Sequence, residues 1–308
     1  MGIQSDSALE QAYRNIECCN IAQALVLLEE TLKADLENKE LVFALHCCYF
    51  WQKVTDSLSS LSNFEKAESL VSQWKQFKLL LIEKRTTETS VYAFKKGIFS
   101  EALKFYEKSG DEKDDRLRAE IFRKSGLCYK KLGSYEKALS CLTEANSLVQ
   151  NQAAVLAEMA DCYALCGESK FAKLLFREAF FVDAEKIDLD FLDSPLIKLL
   201  VEKVKEKGYT GQELLEWIPI YGVLLGVFNV KRELRSQEVL KLKQEIYAKK
   251  SELKNPANNS SLITPKLLNM YFWLIDHYVL SKESVAKIDE ALLEIKILDK
   301  SIYNLYVK

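Results

Sequence analysis

Turn-forming residues are scarce in this chain of 308 residues, which holds 10 glycines and 4 prolines. Those are about 3% and 1%, where roughly 7% and 5% are usual. So few turn residues argue against barrels, sandwiches and glycine-rich nucleotide folds. Histidine is scarcer still: only His46 and His277 occur, in different regions. Cys–His and Ser–His catalysis therefore have few candidates. The sequence contains no G-x-G-x-x-G, no Walker loop, no H-E-x-x-H and no paired-cysteine zinc spacing. Neither sign of charge is in excess, with 43 Lys+Arg against 45 Asp+Glu and a net charge of −2. That balance lacks the basic footprint of a nucleic-acid binder. The longest apolar run, Trp217 to Val230, is fourteen residues interrupted by Pro219 and Asn229. A membrane-spanning helix needs about twenty. The expectations are thus no catalytic residue, cofactor or metal, no nucleic-acid partner and no transmembrane segment.

What is abundant is helix-forming. Leucine alone numbers 47, and apolar residues make up 48% against 29% charged. This is the composition of a globular all-α protein of one or two domains, with helices joined by short loops. Eight cysteines lie in the first 170 residues: Cys18, Cys19, Cys47, Cys48, Cys128, Cys141, Cys162 and Cys166. Adjacent cysteines on a helix point to different faces and make a poor disulfide framework, so reduced thiols are expected. The first thirty residues carry no apolar signal-peptide core. Together these point to a cytoplasmic location, with an exported mature form left open should the native chain begin elsewhere. Nothing in the sequence sets the oligomeric state.

An internal repeat is legible in the middle of the chain. Gly126, Cys128, Tyr129, Gly133, Ala138, Leu142 and Ala145 recur 34 residues later as Ala160, Cys162, Tyr163, Gly167, Ala172, Phe176 and Ala179. A third copy runs through Ser90, Ala93, Gly97, Phe99, Ala102, Tyr106 and Ser109. Earlier still come Tyr49, Phe64, Ala67, Val71 and Trp74, with Asp56 to Asn63 as an inserted loop, and then Ala12, Ile21, Ala24, Leu28 and Thr31. Small residues let antiparallel helices approach closely, tyrosine fills the space between repeats, and glycine turns the chain. The pattern resembles the tetratricopeptide repeat family over about residues 5–186. It departs from the family in lacking the proline near the end of each repeat, and its first two units lack the turn glycine.

The resemblance implies an all-α, right-handed superhelical solenoid of about five helix-turn-helix units, roughly 5–38, 39–82, 83–117, 119–152 and 153–186. It implies a non-enzymatic adaptor or scaffold that binds a partner segment on the concave face lined by the first helix of each unit. The positions it places there are Tyr13 in the first unit, Phe43, Phe50 and Trp51 in the second, and Phe94 and Lys95 in the third, beside Thr87. Arg123, Lys130 and Lys131 follow in the fourth unit and Asp161 in the fifth. The implied groove is aromatic at its N-terminal end and basic in the middle, suited to a protein or peptide with apolar anchors and acidic residues. The family's carboxylate clamp is missing, since Leu9, Tyr13 and Ala44 stand at its positions. The alternative from another class is a small-ligand- or metal-binding protein using the thiols Cys128, Cys162 and Cys166 or a C-terminal pocket. Against a metal site, Cys48 occupies the same repeat position, where a small hydrophobe packs between helices.

Residues 187–308 match no family pattern and read as a helical capping or interaction region. Pro195 starts a helix whose Leu196, Leu199, Leu200 and Val204 share one face suited to capping the solenoid. Lys207 to Gly211 is a break, and a long helix is expected from Tyr221 to about Leu253. Its residues 231–254 hold eight Lys/Arg and four Asp/Glu. Thr264 and Pro265 read as N-cap and first position of the next helix, and Ser281 as the cap of the last. Trp217, Phe228, Tyr271, Phe272 and Trp273 are the expected core.

Overall fold

The structure, a computed structural model, describes residues 2–83, 88–109 and 112–308, with residues 2–6, 82 and 83 described by their backbone alone. Thr87 lies outside the described residues. Fifteen α-helices and two short 3₁₀ turns occur among the described residues, and no strand. Packing divides the chain into two compact units, Met1–Gln150 and Asn151–Lys308.

The first unit holds α1 (Gly2–Glu17), α2 (Ile21–Ala34), α3 (Lys39–Asp56), α4 (Asn63–Glu83), α5 (Glu88–Glu107), α6 (Asp115–Lys131) and α7 (Tyr135–Leu148). Each helix packs on its neighbours in sequence, and α1 packs on α5 as well. Caps set the starts. Asn38 accepts from the N–H groups of Glu40 and Leu41. At α4, Ser62 and Glu65 form a reciprocal capping box, with the Ser62 N–H donating to the Glu65 carboxylate at 2.9 Å. The core between α3, α4 and α5 is aromatic: Phe77 lies 5.3 Å from each of Trp51, Trp74 and Phe94, and Trp74 lies 5.1 Å from Phe99. Such ring pairs stabilise beyond the area they bury.

The turn expected at Gly97 is absent, because α5 runs unbroken from Glu88 to Glu107. Gly97 instead allows a close approach to the end of α1: a Cβ built there would lie 2.0 Å from the Ile16 carbonyl oxygen. Gly133 and Gly167 do turn the chain, at φ +79° and +84°. After α6 the Gly133 N–H bonds the Lys130 carbonyl and the Ser134 N–H bonds that of Tyr129. Thirty-four residues on, Gly167 and Glu168 bond Ala164 and Tyr163 in the same way. Both are Schellman ends. Cys19, φ +60°, closes α1 with the same pair of bonds, so the first hairpin makes the glycine turn without the glycine.

The second unit starts with the hairpin α8 (Ala153–Leu165) and α9 (Ser169–Asp183). Two 3₁₀ turns, Ala184–Lys186 and Leu189–Phe191, lead to α10 (Pro195–Lys205). Then follow α11 (Gly211–Leu224), α12 (Ser236–Leu253), α13 (Ser260–Leu280), α14 (Val285–Leu298) and α15 (Lys300–Tyr306). Helix α13 is the axis of this unit, packed against α11, α12 and α14 and buried along all its faces from Tyr271 to Tyr278. The expected core residues Trp217, Phe228, Tyr271, Phe272 and Trp273 are all in it, together with Phe176 and Phe180 of α9. The fifth repeat-like hairpin thus shares a core with the C-terminal helices, and the boundary between units falls one hairpin earlier than the family pattern implies.

Four expectations here need correction. The long helix from Tyr221 stops at Leu224, where Gly226 (φ +70°) turns the chain so that Phe228 folds back over Gly222. The Phe228 N–H bonds the Gly222 carbonyl at 2.8 Å, and a Cβ on Gly222 would lie 2.3 Å from the Phe228 ring. Helix α13 begins at Ser260, capped by Asn259, and Pro265 sits inside it. Asn259 accepts from the Ser261 N–H, which moves the start ahead of the proline. Ser281 ends α13, and Ser284 precedes α14. On α10, Leu200 and Val204 are buried, whereas Leu199 is 60% exposed.

Candidate functional site

The residues expected on a concave face are placed mostly in the cores. Tyr13, Phe43, Trp51 and Phe94 are buried. Phe50, Trp51 and Phe94 come together around Phe77, and the Tyr13 hydroxyl donates to Glu40 at 2.9 Å. Phe50 and Lys95 keep partial exposure. The Arg123 guanidinium donates to Glu120 one turn earlier on α6, at 2.8 Å through Nε. Lys130 and Lys131 are buried. Asp161, fully buried, accepts from the N–H groups of Asp193 and Ser194, both at 2.8 Å. It thereby fastens the segment that leads into α10, whose first N–H groups have no helical partner.

A surface feature suited to binding lies elsewhere in the first unit. Between α5, α6 and α7 is a half-open cavity of about 290 Å³. Helix α6 supplies Arg118, Ile121, Phe122, Ser125 and Tyr129, a stripe at helical spacing. Tyr106 and Glu107 come from the end of α5, and Cys141 from α7. The lining is mainly apolar and aromatic, with the charges at its rim: Arg118 pairs with Asp115 at 3.0 Å, and Glu107 accepts from the Tyr129 hydroxyl at 3.0 Å. Lys137 lies 5.6 Å from the centre of the Tyr129 ring. Behind the cavity, Tyr106 donates to Glu68, which also takes the Lys124 ammonium at 2.7 Å. Burial, then the neighbouring Glu107 and Glu144 carboxylates, push the Cys141 thiol up, so it stays protonated near neutrality. The stripe on α6 is legible in the sequence. The repeat pattern draws attention to the neighbouring face instead, through Gly126 and Cys128, and shares only Tyr129 with the stripe.

The second unit carries charge inside its core. Arg177 of α9 forms an ion pair with Asp276 of α13, both almost fully buried, and donates to the Val230 carbonyl at 3.1 Å. Asp276 also meets the Lys231 ammonium at 2.6 Å. The Arg177 guanidinium lies 4.6 Å from the Trp273 ring centre, and Arg232 is 5.5 Å from it while bonding Glu178 and Glu238. This cluster joins α9, α13 and the 225–235 segment. His277 has the Ser281 hydroxyl 3.1 Å from Nδ1, and that hydroxyl donates to Glu233 at 3.1 Å. The carboxylate sits on the serine and not on the imidazole, the reverse of what an activated serine requires. Glu216 of α11 is 5% exposed, 3.5 Å from Lys266, and burial pushes its carboxyl up to about 7. Of the thiols, Cys162 is buried and Cys166 exposed, and none of the eight cysteines forms a disulfide. Among the described residues no three His, Cys, Asp or Glu side chains cluster as metal ligands would. Among them, too, no helix is long and apolar enough to cross a membrane.

What the fold and site define is an all-α protein of packed helices, with a half-open apolar cavity among the described residues of its first unit. No family model matches the chain, and no curated protein matches it in sequence.

Proposed function

We propose that this chain is a non-enzymatic interaction module of tetratricopeptide-like build, and that a partner protein inserts an apolar side chain into the α5–α6–α7 cavity. The observation that carries the reading is the cavity itself: an apolar, aromatic-lined recess with the Arg118–Asp115 ion pair and the Tyr129–Glu107 hydrogen bond at its rim. A few anchors seated in desolvated pockets dominate most protein interfaces. Support for the tetratricopeptide-like build is the 34-residue recurrence of two hairpins with the same Schellman end, at Gly133 and Gly167. Eight unbridged thiols suit a reducing, cytoplasmic setting. The partner surface shifts from the expected aromatic groove to the recess, because Phe43, Trp51 and Phe94 are occupied in holding α3, α4 and α5 together. Filling the recess tests the reading. Cys141→Phe should abolish capture of the partner that the unaltered chain retains from native lysate, with an unchanged circular dichroism spectrum. Capture at full strength by the folded variant would move the site elsewhere.

A further inference from the structure

Helix α14 carries more apolar surface than its own unit covers. It packs on α13 and α15, yet of its fourteen residues nine are apolar and only Ala291 and Ile295 are buried. A helix apolar on every side belongs in an interior. Val285 and Ile297 are each 70% exposed, and Leu293 is 56% exposed. With Asp289 they stand four residues apart, so they form one outward stripe. A contiguous stripe marks an interaction surface, where apolar residues scattered singly do not.

The charges beside the stripe indicate what covers it. At about 100° per residue, Asp289 and Lys296 fall on the same edge of it, two turns apart. Both are exposed, and Lys296 lies 5.3 Å from the Tyr303 ring centre of α15. Glu290 falls on the opposite edge, and Glu294 is already joined to Lys250 of α12 at 2.7 Å. A second α14 laid antiparallel, Leu293 against Leu293, brings each Asp289 beside the Lys296 of the other copy. A parallel copy would set Asp289 beside Glu290 instead. A two-fold contact makes every pair twice, so the complementary edge acts on both sides of the axis.

We propose that this chain self-associates through α14, two copies packing antiparallel about a two-fold axis at Leu293, with Asp289 of each paired to Lys296 of the other. One helix from each copy makes a small interface, so the dimer is weak and concentration-dependent. The proposal does not depend on the α5–α6–α7 cavity.

Analytical ultracentrifugation of the full chain, from about 1 μM to about 1 mM, covers the range of such a dimer. The mass should rise from monomer toward dimer across it. Leu293→Glu, which changes an exposed side chain, should stay monomeric throughout with an unchanged circular dichroism spectrum. Asp289→Lys and Lys296→Asp should each weaken association about tenfold, because each sets like charges together twice. The double variant Asp289→Lys with Lys296→Asp restores opposite charges and should recover the affinity of the unaltered chain. That recovery separates pairing across the axis from a general effect of charge or folding. A chain monomeric at every concentration would overturn the proposal and give the stripe to a different protein. A dimer that survives Leu293→Glu, or a double variant no tighter than the single ones, would also overturn it.

Discussion

At the scale of single residues, the buried charges of the second unit make the sharpest statements. Arg177 is 1% exposed and depends on Asp276 for its charge partner. Asp276→Asn should therefore cost about 3–5 kcal/mol, since removing one member of a buried pair strands the other. Urea unfolding at constant slope would measure it. Glu216 gives a pH dependence of defined sign. Burial, reinforced by Glu185 and Asp183 and opposed by Lys266, raises its carboxyl from 4.5 to about 7 in the folded state. Between those values the folded state holds more protons than the unfolded one, so stability falls as pH rises from about 4.5 to 7. The loss is on the order of 2–3 kcal/mol, and Glu216→Gln should flatten the profile in that window. None of these roles was legible in the sequence. An arginine and an aspartate 99 positions apart carry no local pattern, and Asp161, expected in a groove, is used to hold the start of α10.

Among the helices, legibility followed the range of the forces that set each boundary. The hairpins α6–α7 and α8–α9 and the start of α10 at Pro195 are set by neighbouring residues, and all three could be read. The unbroken α5, the end of α11 and the start of α13 were misread. Gly97 answers to Ile16 and Gly222 to the returning Phe228, while the Asn259 cap outweighs the proline signal at 265. The glycines can be sorted by experiment. Gly133 and Gly167 have nothing within 4 Å of an added Cβ, so alanine there meets only the cost of a left-handed backbone, about 1–2 kcal/mol. Gly97→Ala drives a methyl into backbone and should cost about 1–3 kcal/mol by overpacking. It should also loosen α1 from α5, seen as faster amide exchange in α1, an effect absent from the other two variants.

For the whole molecule, the all-α class was evident from composition, and the division of the chain was not. The repeat pattern places the fifth hairpin with the four before it, but Phe176 and Phe180 of α9 lie 6.5 and 6.1 Å from Phe228 within the second core. Fragments 1–150 and 151–308 should accordingly fold alone. A fragment ending at 186 should expose the apolar face of α9, bind a hydrophobic dye and aggregate. The central claim is that a partner engages the recess between α5, α6 and α7. Hydrogen exchange of the full chain, with and without its captured partner, tests that most directly. Protection should rise at the end of α5, along α6 and around Cys141 of α7. Protection confined to the second unit, or to α1–α4, would contradict it.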